Sequence, residues 1–294
     1  MIVVKENNNK RIDSYLKDEL DISRSKIQKL IKEEKVLVNG KTINASYKVS
    51  FNDQIEVNDE LNYEIDIKEE NIPLDIVYED DYLVIINKKS GMVVHPAAGN
   101  YEHTLVNALA YKYKDLPGDK FRLGLVHRLD KDTSGLMVVA KEEKTMELLS
   151  NMIKNKEIER KYLAIVDGII PHETGTIDAP IGRDVNNRQK QAVTDINSKE
   201  AITHFVVLKR YKENTLIECK LETGRTHQIR VHMNYIGYPI VNDPVYGKNK
   251  QCSDFGQMLH SSSIKFIHPI TKQELYYKVE PPKEFLDYLH SLEV

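Results

Sequence analysis

Hydrophobic positions near the amino terminus recur every three or four residues, the period of a helix with one face turned inward. In RIDSYLKDEL these are Ile12, Leu16 and Leu20. In SRSKIQKLIKEEKVLVNG they are Ile27, Leu30 and Ile31, with Lys26, Lys29 and Lys32 on other faces. The spacing predicts two short helices, the second of them basic. Asn39-Gly40 follows as a strong signal for a tight hairpin, because both positions of such a turn require positive φ. QIEV and NYEIDIK then alternate with period two, as half-buried strands do. A small unit over residues 1–70 is predicted, running into an acidic, apolar-poor linker around Lys68 to Pro73.

Residues 71–294 form the second, larger predicted domain. Two strand-like runs flank Asp80-Asp81 in LDIVYEDDYLVIINK, and HTLVNALAYKYK places Leu105, Leu109 and Tyr113 on one side of a helix. LMVVAK, KYLAIVDG, THFVVLKRY and TLIECKLE read as strands, and EEKTMELLSNMIKNK as a helix. In THQIRVHMNYIG, Ile229, Met233 and Ile236 mark an amphipathic helix starting near Thr226. Strands and helices mix without regular βαβ alternation, so the expected class is α+β with a mixed, largely antiparallel sheet, plus a small α/β unit in front of it.

A chain of 294 residues has room for this pair of domains, and 40% apolar against 30% charged residues is ordinary for a folded protein. Cys219 and Cys252 make no disulfide framework and sit in no zinc-binding spacing. No apolar run approaches the ~20 residues that span a bilayer, and no secretory signal opens the chain, so a cytoplasmic location is expected. The net charge of −3 hides an uneven distribution. From Ile22 to Lys48 there are seven Lys/Arg against two acidic residues, and from Asp53 to Glu70 eight Asp/Glu against one lysine. The basic patch is a local candidate for contact with a polyanion.

The densest cluster of chemistry is GLVHRLDKDTSGLMVVAK, residues 124–141. Its DTSG imitates the Asp-Thr-Gly of aspartic proteases, but a serine interrupts it and there is no second copy to share a proton. Asp130 and Asp132 make the DxD of a phosphotransferase, which would need magnesium ligands from a separate acidic motif. Alone, His127, Arg128 and Asp130 read first as a salt-bridged turn, with Gly135 merely permitting a tight bend. Two other runs change the balance. GRTHQIRVHM, 224–233, sets Arg225 and Arg230 near a helix start, where arginine suits RNA phosphates or a buried carboxylate. Its His227 and His232, at i and i+5, lie too far apart around a helix for a metal pair. ERKYLAIV, 159–166, offers Tyr162 as a packing residue or as a face on which an extruded base can stack.

Taken in order, HRLDKDTSG, KYLAIV and GRTHQIRVHM resemble the RluA/RluD-type pseudouridine synthases of the ribosomal large subunit. The resemblance extends through VVHPAAGNYEHTLVNAL, PIGRD, DPVYG, MLHS and FIHP, and so covers nearly the whole chain. The amino-terminal SRSKIQKLI with its VNG is similar to the small RNA-binding domain named after ribosomal protein S4. The resemblance implies an isomerase that converts specific uridines of structured RNA to pseudouridine, with base flipping and without a cofactor or metal. It implies Asp130 as catalytic aspartate, Tyr162 as active-site tyrosine and Arg230 as the basic partner of Asp130, with Arg128 entering the RNA stack. RNA contacts are expected at Arg128, Arg225 and His127, and in the small domain at Arg24, Lys26 and Lys29. Ribosomal RNA is the expected partner and transfer RNA the alternative, with the protein a monomer and no membrane involved. A non-catalytic ribosome-assembly factor using the same surface is the rival reading, and the three site residues argue against it. Departures from the family pattern fall at Asn242 and Ser261, where Gly and Ala are usual, and at Lys35, where a turn glycine is usual. Asn tolerates a left-handed backbone best after Gly, so an altered loop with an intact site is expected.

Overall fold

Ile12, Leu16, Ile27, Leu30 and Ile31 are all buried in one small core, together with Val36, Val38 and Ile55. In the computed structural model, which describes residues 2–4, 10–20, 24–58, 67–96, 100–119, 121–185, 187, 190–248, 253 and 255–293, the chain divides into two units, Met1–Asp66 and Ile67–Val294. The division falls a few residues ahead of the expected one. Residues 68 and 70 belong with the larger unit, since Asn107 Nδ2 donates to the Lys68 carbonyl and Glu70 N–H to the Asn107 carbonyl.

In the small unit, strand β1 (Ile2–Val3), helices α1 (Ile12–Leu20) and α2 (Arg24–Lys32) and strands β2 (Val36–Val38), β3 (Lys41–Thr42) and β4 (Gln54–Val57) follow in chain order. The strands form an antiparallel sheet in the order β1-β4-β2-β3. Asn39 and Gly40 both take positive φ, 52° and 72°, as the hairpin between β2 and β3 requires. The turn after helix α2 carries Glu34 at φ 58°, one position ahead of Lys35, whose N–H closes the turn on the Leu30 carbonyl. Most of NYEIDIK lies outside the described residues.

The larger unit carries β5 (Ile76–Glu79), β6 (Leu83–Lys88), α3 (Leu105–Lys112), β7 (Ser134–Ala140), α4 (Glu143–Lys154), β8 (Glu159–Asp167), β9 (Thr174–Asp178), β10 (Ile181–Arg183), β11 (Gln191–Val193), β12 (Ile202–Arg210), β13 (Asn214–Leu221), α5 (Gln228–Tyr235), β14 (Leu259–Ile267), β15 (Glu274–Lys278) and α6 (Lys283–Ser291). Nine strands make one sheet in the order β5-β6-β7-β14-β8-β13-β12-β9, with β15 paired to β14. Its ladders are antiparallel except β14 with β7, as expected for an α+β domain. Strands β6 and β7 read as unbroken apolar runs because both faces are covered. Val84, Ile86, Met137 and Val139 join the main core with Leu105 and Leu109 of α3, whereas Leu83, Ile85, Leu136 and Val138 pack with Leu149 of α4 on the other face.

The parallel junction of β7 and β14 is short, pairing His260 with Ser134 and Ser261 with Gly135. Gly135 sits at φ 111°, and a Cβ there would lie 2.2 Å from the Ser261 carbonyl oxygen. The glycine therefore does more than permit a bend: it lets the strand that follows Asp130 reach the centre of the sheet. Gly135→Ala is expected to cost at least about 3 kcal/mol of stability, read as a lower urea midpoint. A loss under about 1 kcal/mol would show that the junction tolerates a side chain.

Candidate active site

Asp130 lies on a short turn before β7 that is tied down from several sides. The Thr133 N–H closes back onto the Asp130 carbonyl at 3.2 Å. Lys88 Nζ donates to the Lys131 carbonyl at 2.8 Å, and also to those of Lys89 and Met92. Ser90 Oγ holds the Asp132 carbonyl, and Gln257 Nε2 holds Thr133 Oγ1. Lys88 is buried, and burial pushes its pKa down to about 7 against the pull of Asp130 and Asp132.

The partner of Asp130 comes from α5. This helix begins after His227, which caps it in a left-handed conformation, φ 58°. Gln228 fixes the entry to the helix, its Oε1 accepting from Thr223 Oγ1 and Arg225 N–H while its Nε2 donates to Ile202 O and Thr203 Oγ1. Arg230 Nη1 then lies 2.9 Å from Asp130 Oδ2. The other edge of the guanidinium is taken by Asp243, with Nε to Oδ2 at 2.7 Å and Nη2 to Oδ1 at 2.9 Å. Asp243 Oδ1 also accepts the N–H groups of Val245 and Tyr246. The Tyr246 ring lies 5.2 Å from the Arg230 head group and adds a cation–π contact. Burial works against the charge of Arg230, but Asp243 and Asp130 outweigh it and hold its pKa above the ordinary arginine value. Burial likewise opposes the charge of Asp243, yet Arg230 and the two backbone donors bring its carboxyl below the usual range.

These groups open on a cleft of about 470 Å³, lined also by Leu129, Tyr162, Ile229 and Leu259. Tyr162 is buried on β8, and burial raises its pKa with Arg160 and the Ser261 hydroxyl acting against the rise, so the phenol keeps its proton at neutral pH. Asp130 is the less enclosed carboxylate, its side chain 17% exposed against 0% for Asp243. His227 Nε2 stands 3.9 Å from Asp130 Oδ1, and its Nδ1 is 3.0 Å from the Tyr246 hydroxyl. Burial lowers its pKa, so the ring is neutral near pH 7.

The remaining expected residues divide. Arg128 is exposed at the cleft and Arg225 lines it, with Nε on the Glu200 carbonyl at 2.8 Å. His127 turns inward: its Nε2 accepts the Val138 N–H at 3.0 Å, and burial pushes its pKa to about 3. It therefore offers no cation to a phosphate. Arg24 spends its guanidinium on buried Asp13, at 3.0 and 3.2 Å, and Lys29 stays 70% exposed on α2. Lys26 is on α2, and its side chain lies outside the described residues. His232 is a satisfied core histidine, bonded to Thr203 Oγ1 and the Ala179 carbonyl. Among the described residues no cluster of His, Cys, Asp and Glu is placed to hold a metal.

Comparison with known proteins identifies the family. Residues 82–235 match the family model described as RNA pseudouridylate synthase, and residues 10–55 match that of the S4 domain. The chain belongs to the RNA pseudouridine synthase family, whose members are isomerases. It is 46% identical over 290 residues to the uncharacterized RNA pseudouridine synthase YlyB of Bacillus subtilis, covering 98% of this chain and 95% of that one. It is 40% identical to the ribosomal large subunit pseudouridine synthase D of Escherichia coli, covering 96% and 90%. Among solved structures it resembles human RNA pseudouridylate synthase domain containing 1, with TM-score 0.61 and 25% identity over 72% of this chain and 85% of that one.

Arg160 lines the cleft, and Asp243 and Lys88 support the groups at its wall, without any of the three having been singled out from sequence. DPVYG carried the signal for Asp243, since an aspartate opening a turn can accept the next backbone N–H groups and still face a cation. Asn242 does take the left-handed backbone, φ 61°. Its side chain adds a clasp, with Nδ2 donating to Gly256 O at 2.6 Å and Ser253 O at 3.0 Å. Asp243→Asn, which removes the anionic half of the Arg230 fork, is expected to lower kcat on the order of 10²-fold through misplacement of Arg230, with RNA affinity little changed. Equal kcat for the two proteins would show that Asp243 does not set the geometry of the site.

Proposed function

We propose that this synthase converts specific uridines of structured ribosomal RNA to pseudouridine in the cytoplasm, with Asp130 acting on the sugar of a flipped nucleotide. The supporting observation is the Asp130 carboxylate held 2.9 Å from a buried arginine at the wall of a cleft with apolar and aromatic lining. The names of its relatives, which include ribosomal large subunit pseudouridine synthase D, support the substrate class.

The chemistry makes particular demands. The N1–C1′ bond must break, the uracil must turn while captive, and C5 must join C1′, with no net redox change. An aspartate can serve by attacking C1′ or by taking the proton at C2′, and both need it ionised. Arg230 supplies the counter-charge that enclosure would otherwise withhold. Tyr162, held as a neutral phenol, offers a stacking face for the ring and a hydroxyl near the site of C5 proton loss. Arg128, exposed beside Asp130 in sequence, fills the stack that the base leaves, and Arg225 contacts phosphate. In the small unit the exposed ammonium of Lys29 adds a phosphate contact that raises affinity without reading bases.

The test maps pseudouridines in ribosomal and transfer RNA from cells lacking the gene, complemented with wild type or Asp130→Asn. Wild type is expected to restore sites in large-subunit ribosomal RNA, and the Asn variant none. Restoration by Asp130→Asn would remove the aspartate from the chemistry. Sites confined to transfer RNA would overturn the substrate assignment.

A further inference from the structure

Arg160 is a buried cation with no anion in ion-pair reach among the described residues. It is only 5% exposed, on β8 two residues before Tyr162, so both side chains project to the same side of the strand, and both line the cleft. Among the described residues no carboxylate lies within ion-pair distance of it, and its Nε has no hydrogen-bond partner. This contrasts with Arg230, which has two carboxylates on one guanidinium. The Arg160 head group rests against Gly224, where a Cβ would come within 3.3 Å of Nη1, so glycine leaves it room. A second lining residue shares the condition. His127 accepts the Val138 N–H at Nε2, which puts its own proton on Nδ1, and that buried Nδ1 has no partner among the described residues. An unpaired buried charge is costly to keep, so its retention in the cleft calls for an occupant that supplies the missing negative charge.

We propose that Arg160, with the Nδ1–H of His127 in the same cleft, binds the carbonyl oxygens of the flipped uracil and stabilises the anion this base becomes when it leaves the sugar. The inference rests on the function proposed above. When the C1′–N1 bond breaks, its electron pair stays on N1, and the charge spreads over the ring oxygens. The empty valence at C1′ is met by an Asp130 oxygen, or by the C2′ electrons once its proton is taken. C5 then attacks C1′ while the bond from C1′ to the Asp130 oxygen breaks and frees the carboxylate, or, on the other route, while C2′ regains its proton from the Asp130 carboxyl. The C5 proton is then released and N1 takes up a proton, which leaves the base neutral. The anion exists between the two bond events, and the guanidinium is pre-placed for it in a site shielded from water. A phosphodiester fits Arg160 less well, because the guanidinium is almost fully enclosed. Exposed Arg128 and part-exposed Arg225 are the groups within reach of a hydrated backbone.

The experiment compares wild type, Arg160→Met and Arg160→Lys on two ribosomal RNA fragments that differ only in carrying uridine or 5-fluorouridine at a mapped target. The readout is single-turnover disappearance of the original nucleoside. Fluorine withdraws charge from the departing ring, so a protein group that stabilises the anion matters less with it. Arg160→Met is expected to lose on the order of 10²–10³-fold on uridine, and at least about tenfold less on 5-fluorouridine. Arg160→Lys should fall between. RNA affinity and its salt slope should be unchanged, and the melting temperature of Arg160→Met should not drop, because an unpaired charge has been removed from the interior. Equal losses on both RNAs would overturn the proposal. Accompanied by a salt slope shallower by about one contact, they would assign Arg160 to a phosphate; accompanied by a lowered melting temperature, to structure alone. Wild type that consumes neither RNA would instead refute the function on which the inference stands.

Discussion

The site depends on one buried guanidinium shared by two carboxylates. Arg230 is 4% exposed, and a charge so enclosed is tolerated only when its hydrogen-bonding edges are filled. Asp243 takes one edge in a fork and is itself anchored by two backbone N–H groups, so its position is set by the turn and not by a mobile side chain. Asp130 receives the remaining contact through a single nitrogen and keeps one oxygen toward the cleft wall, 3.9 Å from neutral His227. This asymmetry encloses one carboxylate with the arginine and leaves the other facing the cleft. Removing one member of such a buried set typically costs 3–5 kcal/mol, so the three side chains stand or fall together.

The fold brings these groups together from distant parts of the chain. Asp130 precedes β7, Tyr162 and Arg160 lie on β8, and Arg230 is on α5. The short parallel contact at Gly135 and Ser261 joins β7 to β14, which pairs in turn with β8. That contact brings the Asp130 turn toward the strand carrying the aromatic ring. Beneath the turn, the three carbonyls around Lys88 fix its path with no further carboxylate spent on the task.

Much of this was legible in the sequence for identifiable reasons. Helical stripes in the small unit, the Asn39-Gly40 turn and the apolar runs of β6 and β7 each obey one local rule, and the structure satisfies each. The left-handed backbone at Asn242 could be anticipated because few residues accept it. What escaped were properties of pairs distant in sequence. That Arg160 lacks an anion among the described residues while Arg230 has two cannot be read from either residue's neighbours. Nor can the inward turn of His127, which depends on a backbone N–H eleven residues away, at Val138. The division between the units shifted because Asn107 of α3 reaches back to residue 68, a contact that composition does not signal.

Asp243 is expected to influence the reaction solely by holding Arg230 against Asp130. A double-mutant cycle of single-turnover pseudouridine formation, with Arg230→Met, Asp243→Asn and the pair, tests it most directly. Once Arg230 is gone, Asp243→Asn is expected to cost no more than about threefold further. Losses that multiply in the double variant would contradict it, because they would mean that Asp243 serves the reaction by a route that bypasses the arginine.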